Sequence, residues 1–224
     1  RTPGHDFELA TGFLYTEGII RSAADITTVQ YCKTDNENIV CMALSDAVTL
    51  EFNKLERNFY TTSSCGVCGK ACIESVKTVC PIPDSIDSLW VPHILICQLP
   101  HKLREQQDVF ENTGGLHACA LFDLNGDLLL SREDIGRHNA LDKLIGAAIN
   151  ANLLPLDKHI LMLSGRASFE LVQKAIMAGI KIIAAVGAPS SLAAEMAEER
   201  GITLIGFLRG ERFNIYSGAE RIVV

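Results

Sequence analysis

The sequence predicts an α/β protein, with a smaller α+β unit over residues 1–88 followed by an α/β domain over residues 89–224. Three observations carry this. In the second half, short apolar runs alternate with helical patterns, as strands joined by crossover helices do. Those runs, 182–186 among them, are continuously apolar, as in a parallel sheet covered on both faces. The first half holds strand-like runs joined by polar turns, and a Pro/Asp/Ser stretch at 81–88 reads as the connector.

Taken in order, Thr2-Pro3-Gly4 precedes a helical pattern with Leu9, Phe13 and Leu14 on one side. Strand-like runs follow at 27–32, 39–44 and 48–52, with Asp35-Asn36-Glu37-Asn38 as the turn between the first two. A Ser/Gly/Cys stretch at 61–70 leads into a helix-like run at 70–79. In the second unit, 91–104 reads as a helix kinked or broken at Pro100. Runs at 116–123 and 127–130 flank Asn125-Gly126, a strong hairpin signal. Residues 137–151 have helical spacing through Leu141, Leu144, Ile145 and Ala148. Then come a strand at 160–163, a helix at 168–178, a strand at 182–186, a helix at 191–200 and a strand at 202–207.

The 224 residues are nearly half hydrophobic and about a fifth charged, ordinary for a globular chain. A net charge of −7 argues against a dominant nucleic-acid surface but leaves room for a local basic pocket. No apolar run approaches the roughly twenty residues that span a bilayer, and the clustered cysteines, read as reactive or metal-binding thiols, fit a reducing cytoplasm. The chain begins at Arg1 rather than methionine, so an upstream segment, even a targeting one, is compatible with it.

Eight cysteines are many for this length. Cys32, Cys41, Cys97 and Cys119 sit among apolar neighbours and read as free, packed thiols. Cys65, Cys68, Cys72 and Cys80 cluster. In Ser63-Ser64-Cys65-Gly66-Val67-Cys68-Gly69-Lys70, glycines flank a CxxC and allow close approach. A thiol at the start of a helix, beside Lys70, is favoured as thiolate. Thiolate is the form that attacks sulfur. Two other readings compete. Cys72 and Cys80 would complete a metal or iron–sulfur site, although a second CxxC or a histidine pair is absent. A dithiol redox motif normally follows a strand in a βαβ unit, which the first half lacks.

The three parallel strands end in Ser164-Gly165-Arg166, in Gly187-Ala188-Pro189-Ser190-Ser191 and in Phe207-Leu208-Arg209-Gly210-Glu211-Arg212. Ligands of open α/β sheets bind at such carboxyl ends. Two helix N-termini and three arginines would meet there, which suits phosphate, and Phe207 offers a surface for a base. Taken singly, each serine reads as a helix cap and each arginine as a solvated charge. No dinucleotide-binding GxGxxG or P-loop is present. Two further patches are polar: Asn112 to Ala118, containing His117, enters a strand through a double glycine, and Asp134-Ile135-Gly136-Arg137-His138-Asn139 opens a helix.

Together these motifs resemble the FdhD family of formate dehydrogenase accessory sulfurtransferases. The resemblance rests on RTPGHDFELATGFLYTEGII, SSCGVCGK, TGGLHACAL, EDIGRHNALDKLIG, SGRASFELVQKAI and GFLRGERFNIYSGAERI, which run in order along almost the whole chain. Against the family's usual pattern, an N-terminal extension is expected to be absent or trimmed here. The resemblance implies a cytidine-deaminase-like three-layer α/β/α C-terminal domain behind a smaller α+β domain. It implies a persulfide carried on Cys65, received from a cysteine desulfurase and passed to the bis-molybdopterin guanine dinucleotide form of the molybdenum cofactor, for which GDP would serve as a mimic. That transfer precedes the cofactor's insertion into formate dehydrogenase. The resemblance places cofactor binding on residues 207–212 and points to a homodimer. The role of Cys68 beside Cys65 stays open.

Two rival functions are weighed. A zinc deaminase needs His-x-Glu and a later Pro-Cys-x-x-Cys. Here Cys119 stands in the position of the Glu and no Pro-Cys-x-x-Cys follows, so neither deamination nor a permanent metal is expected. A chaperone that only holds the cofactor would need the pocket and not the cysteines.

Overall fold

The computed structural model describes residues 1–32, 39–49, 89–105 and 115–223. Cys65, Cys68, Cys72, Cys80 and the 112–114 stretch lie outside the described residues.

The centre is a six-stranded mixed sheet of order β5-β4-β6-β7-β8-β9. Its strands are β4 (His117–Asp123), β5 (Leu128–Asp134), β6 (His159–Leu163), β7 (Ile182–Ala185), β8 (Thr203–Arg209) and β9 (Arg212–Ser217). β6, β7 and β8 are parallel, as their continuous apolar runs predict. The hairpin partners β4–β5 and β8–β9 are antiparallel, and β4 also runs antiparallel to β6. Five helices are described: α1 (Asp6–Thr16), α2 (His93–Arg104), α3 (Arg137–Asn150), α4 (Phe169–Met177) and α5 (Ser191–Glu199).

Alternate residues of the same strands feed two cores. Cys119, Leu121, Leu161, Leu163, Ile183 and Leu204 meet Leu141, Leu144 and Ile145 of α3 and Leu171, Val172 and Ala175 of α4. Ala118, Phe122, Ile160, Met162, Ile182 and Ile205 share the other core with Ile96, Leu99 and Leu103 of α2. Each fully buried aliphatic or aromatic side chain contributes roughly 1.5–3 kcal/mol, so the layering follows from strands apolar on both faces. This is the expected α/β fold.

Several expectations need correction. The last parallel strand does not leave the sheet at Phe207. β8 runs to Arg209, turns through Gly210 and Glu211, and returns as β9, so Arg212 opens a strand. Residues 91–92 form the short strand β3, which pairs with β10 (Ile222–Val223), and α2 runs through Pro100. In the first unit, β1 (Ile26–Tyr31) and β2 (Val40–Leu44) form the expected hairpin. Val48 and Thr49 are not in a strand. Cys32 and Cys41 are joined as a disulfide, with Cα atoms 5.6 Å apart, because the hairpin brings Cys32, just past the end of β1, against Cys41 on β2. Cys41 is exposed; an apolar neighbourhood in sequence did not mean burial for this pair.

α1 also departs from expectation. Leu9, Phe13 and Leu14 are only half-buried, whereas Thr11, Gly12, Tyr15 and Thr16 are buried. The reason is a close crossing on α3. A Cβ at Gly12 would collide with the carbonyl of Asp142, and one at Gly146 with the carbonyl of Glu8. The backbones meet at two glycines, so a large apolar stripe is not what this crossing buries.

A buried polar knot completes the contact. Lys174 Nζ lies 3.0 Å from Asp142 Oδ1 and 3.1 Å from Glu17 Oε1, and donates to Thr16 Oγ1 at 2.9 Å. Thr16 Oγ1 donates in turn to Asp142 at 2.8 Å. Burial alone would depress the Lys174 pKa, but Asp142 and Glu17 outweigh it and hold the ammonium charged. Removing one partner of such a pair costs about 3–5 kcal/mol. Nearby, Arg132 makes a two-pronged bond to Glu8, the geometry that favours arginine over lysine.

Candidate functional site

The exits of the parallel strands are tied together by backbone. Gly187 N–H donates to the Gly165 carbonyl at 2.9 Å, and Phe207 N–H donates to the Gly187 carbonyl at 3.1 Å. Ala167 N–H donates to Ala188 at 3.2 Å, and Ser190 N–H to Ala167 at 3.0 Å. One rim therefore holds the ends of β6, β7 and β8. β4 runs antiparallel to β6, so its first residue, His117, joins the same rim, and it pairs in register with Asp134 at the end of β5.

On this rim the residues singled out from sequence divide into two groups. Arg166, Phe207, Arg209, Gly210, Glu211 and Arg212 are exposed. Ser164, Ser190 and Leu208 have structural partners. Ser164 Oγ accepts from Ala118 N–H at 2.8 Å, and Ser190 Oγ accepts from Ala193 N–H at 3.2 Å, capping α5. Both hydroxyls keep a proton to donate. Leu208 is 1% exposed and packs in the α2-side core, so its side chain is turned away from the rim. Phe207 has φ 53° at a break in the β8–β9 register. A bulky side chain in the left-handed region is strained. This one leaves the ring 45% exposed at the rim.

The other side of the rim is a cluster of His117, Arg137, His138, Ser168 and Glu170. A Cβ at position 165 would stand 3.0 Å from His117 Nδ1, so glycine there makes room for the ring. His138 Nε2 lies 3.4 Å from Ser168 Oγ and 3.8 Å from Glu170 Oε2. Burial raises the Glu170 pKa. The nearby His138 ring, the backbone N–H of Glu170 and Ser168 outweigh it and bring it to about 2. His117 is pushed down by burial first, then by the charges of Arg137, Arg166 and His138, so it is a neutral imidazole at neutral pH. The sequence marked His117, Arg137 and His138 as polar patches and missed Ser168 and Glu170. Ser-x-Glu opening a helix after a strand was the available signal.

Below the cluster, Asp134 organises the start of α3. It accepts from Gly136 N–H at 2.9 Å and Asn139 Nδ2 at 3.1 Å, and pairs with buried Lys143 at 2.7 Å. Thr2 N–H donates to Asp134 at 2.9 Å, and Lys143 donates to the Thr2 carbonyl at 2.9 Å. Burial opposes the charge on Asp134, but these partners hold its pKa below the usual carboxylate range. The N-terminal Arg-Thr-Pro-Gly segment is thus held under the rim.

Among the described residues the free thiols are Cys97 and Cys119. Burial, then Glu211, pushes Cys97 up. Burial, then Asp142, pushes buried Cys119 up strongly. Both stay thiols, poor as nucleophiles or metal ligands. The described residues contain no cluster of three or more His, Cys, Asp or Glu placed to hold a metal. No helix among them is long and apolar enough to cross a membrane.

Comparison with known proteins places this geometry. A sulfur carrier protein FdhD from Mycolicibacterium paratuberculosis is 51% identical over 228 residues, covering 99% of this chain and 84% of that one. One from Streptomyces coelicolor is 50% identical over 232 residues, covering 100% and 82%. One from the archaeon Saccharolobus solfataricus is 45% identical over 222 residues, covering 99% and 81%. A crystal structure from Desulfotalea psychrophila, assigned as a formate dehydrogenase accessory protein, superposes with a TM-score of 0.76 at 26% identity, covering 99% of this chain and 81% of that one. The family model described as FdhD/NarQ matches residues 1–223, and the chain belongs to the FdhD/NarQ family.

Proposed function

We propose that this protein is a sulfurtransferase serving formate dehydrogenase, taking sulfur from a cysteine desulfurase as a persulfide on Cys65 and delivering it to the guanine-dinucleotide molybdenum cofactor held at the sheet rim. The relatives' name, sulfur carrier protein, supports the sulfur chemistry. The thiols support the choice of carrier: Cys97 and Cys119 are held protonated, and Cys32 and Cys41 are bonded to each other. Cys65, Cys68, Cys72 and Cys80 remain, and of these the glycine-flanked Cys65 and Cys68 are the pair suited to attack sulfur.

The observation that carries the delivery half is the convergence at the rim. Phe207 offers an exposed ring beside Arg209 and Arg212, at the end of three joined strand exits. Aromatic stacking and charge-assisted hydrogen bonds are what a guanine nucleotide diphosphate requires. In this reading the cofactor is cargo, and the chain works as a cytoplasmic homodimer without a permanent metal.

The test is GDP titrated calorimetrically into wild type, Arg209→Gln and Arg212→Gln. A charge-assisted hydrogen bond contributes roughly 1.5–3 kcal/mol, so each variant should bind about tenfold or more weakly, while sulfur loading is unchanged. Equal affinity in all three proteins would place the nucleotide elsewhere.

A further inference from the structure

We propose that the corner formed by His117, Arg137 and Arg166 is an oxyanion subsite of its own, built for a phosphate- or sulfate-like group and separate from the 207–212 hairpin. It rests on the reading of the rim as the ligand-binding face. It adds a second anchoring point that the hairpin does not supply.

The case is one of unbalanced charge. The first turn of α3 carries no acidic residue, and its N-cap, Gly136, has no side chain to cap it. Helices favour acids there, because the free N–H groups and the dipole make that end positive. Here the positive end carries Arg137 and His138 instead. α4 differs: Glu170, in its first turn, bonds back to its own N–H and to Ser168, so that terminus has its anion. Arg137 Nε is buried and finds no hydrogen-bond partner among the described residues. Arg166, from the loop after β6, is exposed and close enough to act on His117.

The surrounding charges do not neutralise this corner. Asp134 is committed to Lys143, Gly136, Asn139 and Thr2. Glu133 lies on β5 in register with Ala118, one position beyond His117. Glu170 is paired with His138. Two guanidinium groups and a helix end without a side-chain cap remain, and both guanidinium charges act on the neutral His117 ring. An oxyanion would accept from the guanidinium groups and the α3 N–H groups together. His117 would then be a neighbour whose protonation strengthens binding.

The test uses sulfate, whose charge is constant from pH 5 to 8, followed by calorimetry and by the NMR titration of the His117 ring. Sulfate should bind wild type and raise the His117 pKa, and binding should tighten as pH falls through the imidazole range. His138 and Glu170 also face this corner, so His117→Gln should remove most of the pH dependence rather than all of it. Arg166→Gln, at an exposed position safe for folding, and Arg137→Gln should each weaken sulfate about tenfold or more. Arg212→Gln should leave sulfate binding intact while weakening GDP. Sulfate bound equally by the Arg137, Arg166 and wild-type proteins, an unmoved His117 pKa, or sulfate lost on Arg212→Gln would overturn the subsite. GDP bound equally by wild type and the Arg212 variant, with sulfate behaving as expected, would count against the hairpin reading and leave the subsite standing.

Discussion

Phe207 gives the sharpest separation of stability from binding. Its φ of 53° costs an L-residue roughly 1–2 kcal/mol. Alanine at this position keeps that strain, and glycine removes it. In an ordinary strand, glycine is less stable than alanine by roughly 0.5–1 kcal/mol, so the order should reverse here, with Phe207→Gly more stable than Phe207→Ala by about 1 kcal/mol. The ring is 45% exposed, so both variants lose about half of the roughly 1.5–3 kcal/mol that full burial of Phe contributes. Phe207→Ala should therefore be about 1 kcal/mol less stable than wild type and Phe207→Gly nearly neutral. For a chain of this size the gap between the two variants is about 2–4 °C in Tm, readable by circular dichroism. Stacking on a base is worth about 1–3 kcal/mol, so both should bind GDP between about fivefold and a hundredfold more weakly. If alanine proves more stable than glycine, the left-handed geometry at 207 is wrong. If GDP binds both as well as wild type, the ring does not stack on the base.

Other consequences follow from the packing and the charges. Gly146→Ala drives a methyl group into the Glu8 carbonyl. The crossing must open, which should cost roughly 3 kcal/mol and lower Tm by about 6–12 °C, seen in a thermal melt. Glu170 has its pKa lowered to about 2 from an ordinary 4.5. A lowered carboxylate pKa contributes stability above pH 4.5 that fades as pH falls toward 2. Glu170→Gln should therefore be less stable than wild type at pH 6 by roughly 1–2 kcal/mol, after discounting for solvent screening, and the difference should shrink as pH falls through that range. Denaturant titrations at several pH values measure it.

Much of the second half of the chain is legible in the sequence for a simple reason. Ile160, Ile182 and Ile205, buried on one face, alternate with Leu161, Ile183 and Leu204, buried on the other. Continuous apolar runs with crossover helices between them can only be a sheet covered on both sides. The β9 strand was not legible, because Arg212, Asn214, Ile215 and Tyr216 are exposed along an edge and show no buried face. The α1 crossing was illegible for the opposite reason. Gly12 and Gly146 act through the absence of a side chain, and the Lys174–Asp142–Glu17 knot joins residues far apart in sequence. At the site, the strand-end serines looked like ligand groups and proved also to be backbone partners. The unpartnered Nε of Arg137 shows only in the structure, because sequence does not say which atoms of a side chain are buried.

Sulfur loading tests Cys65 as the carrier. Wild type, Cys65→Ala and Cys68→Ala are incubated with a cysteine desulfurase and cysteine, and bound sulfur is read by cyanolysis and by the mass of the peptide containing residue 65. Activation of formate dehydrogenase is followed in parallel. Wild type should gain one cyanolysable sulfur on Cys65. Cys65→Ala should gain none and fail to activate, while still binding GDP. Cys68→Ala should be impaired only in part. Full loading or full activation by Cys65→Ala would contradict the account, and activation without loading would leave a chaperone that holds the cofactor and carries no sulfur.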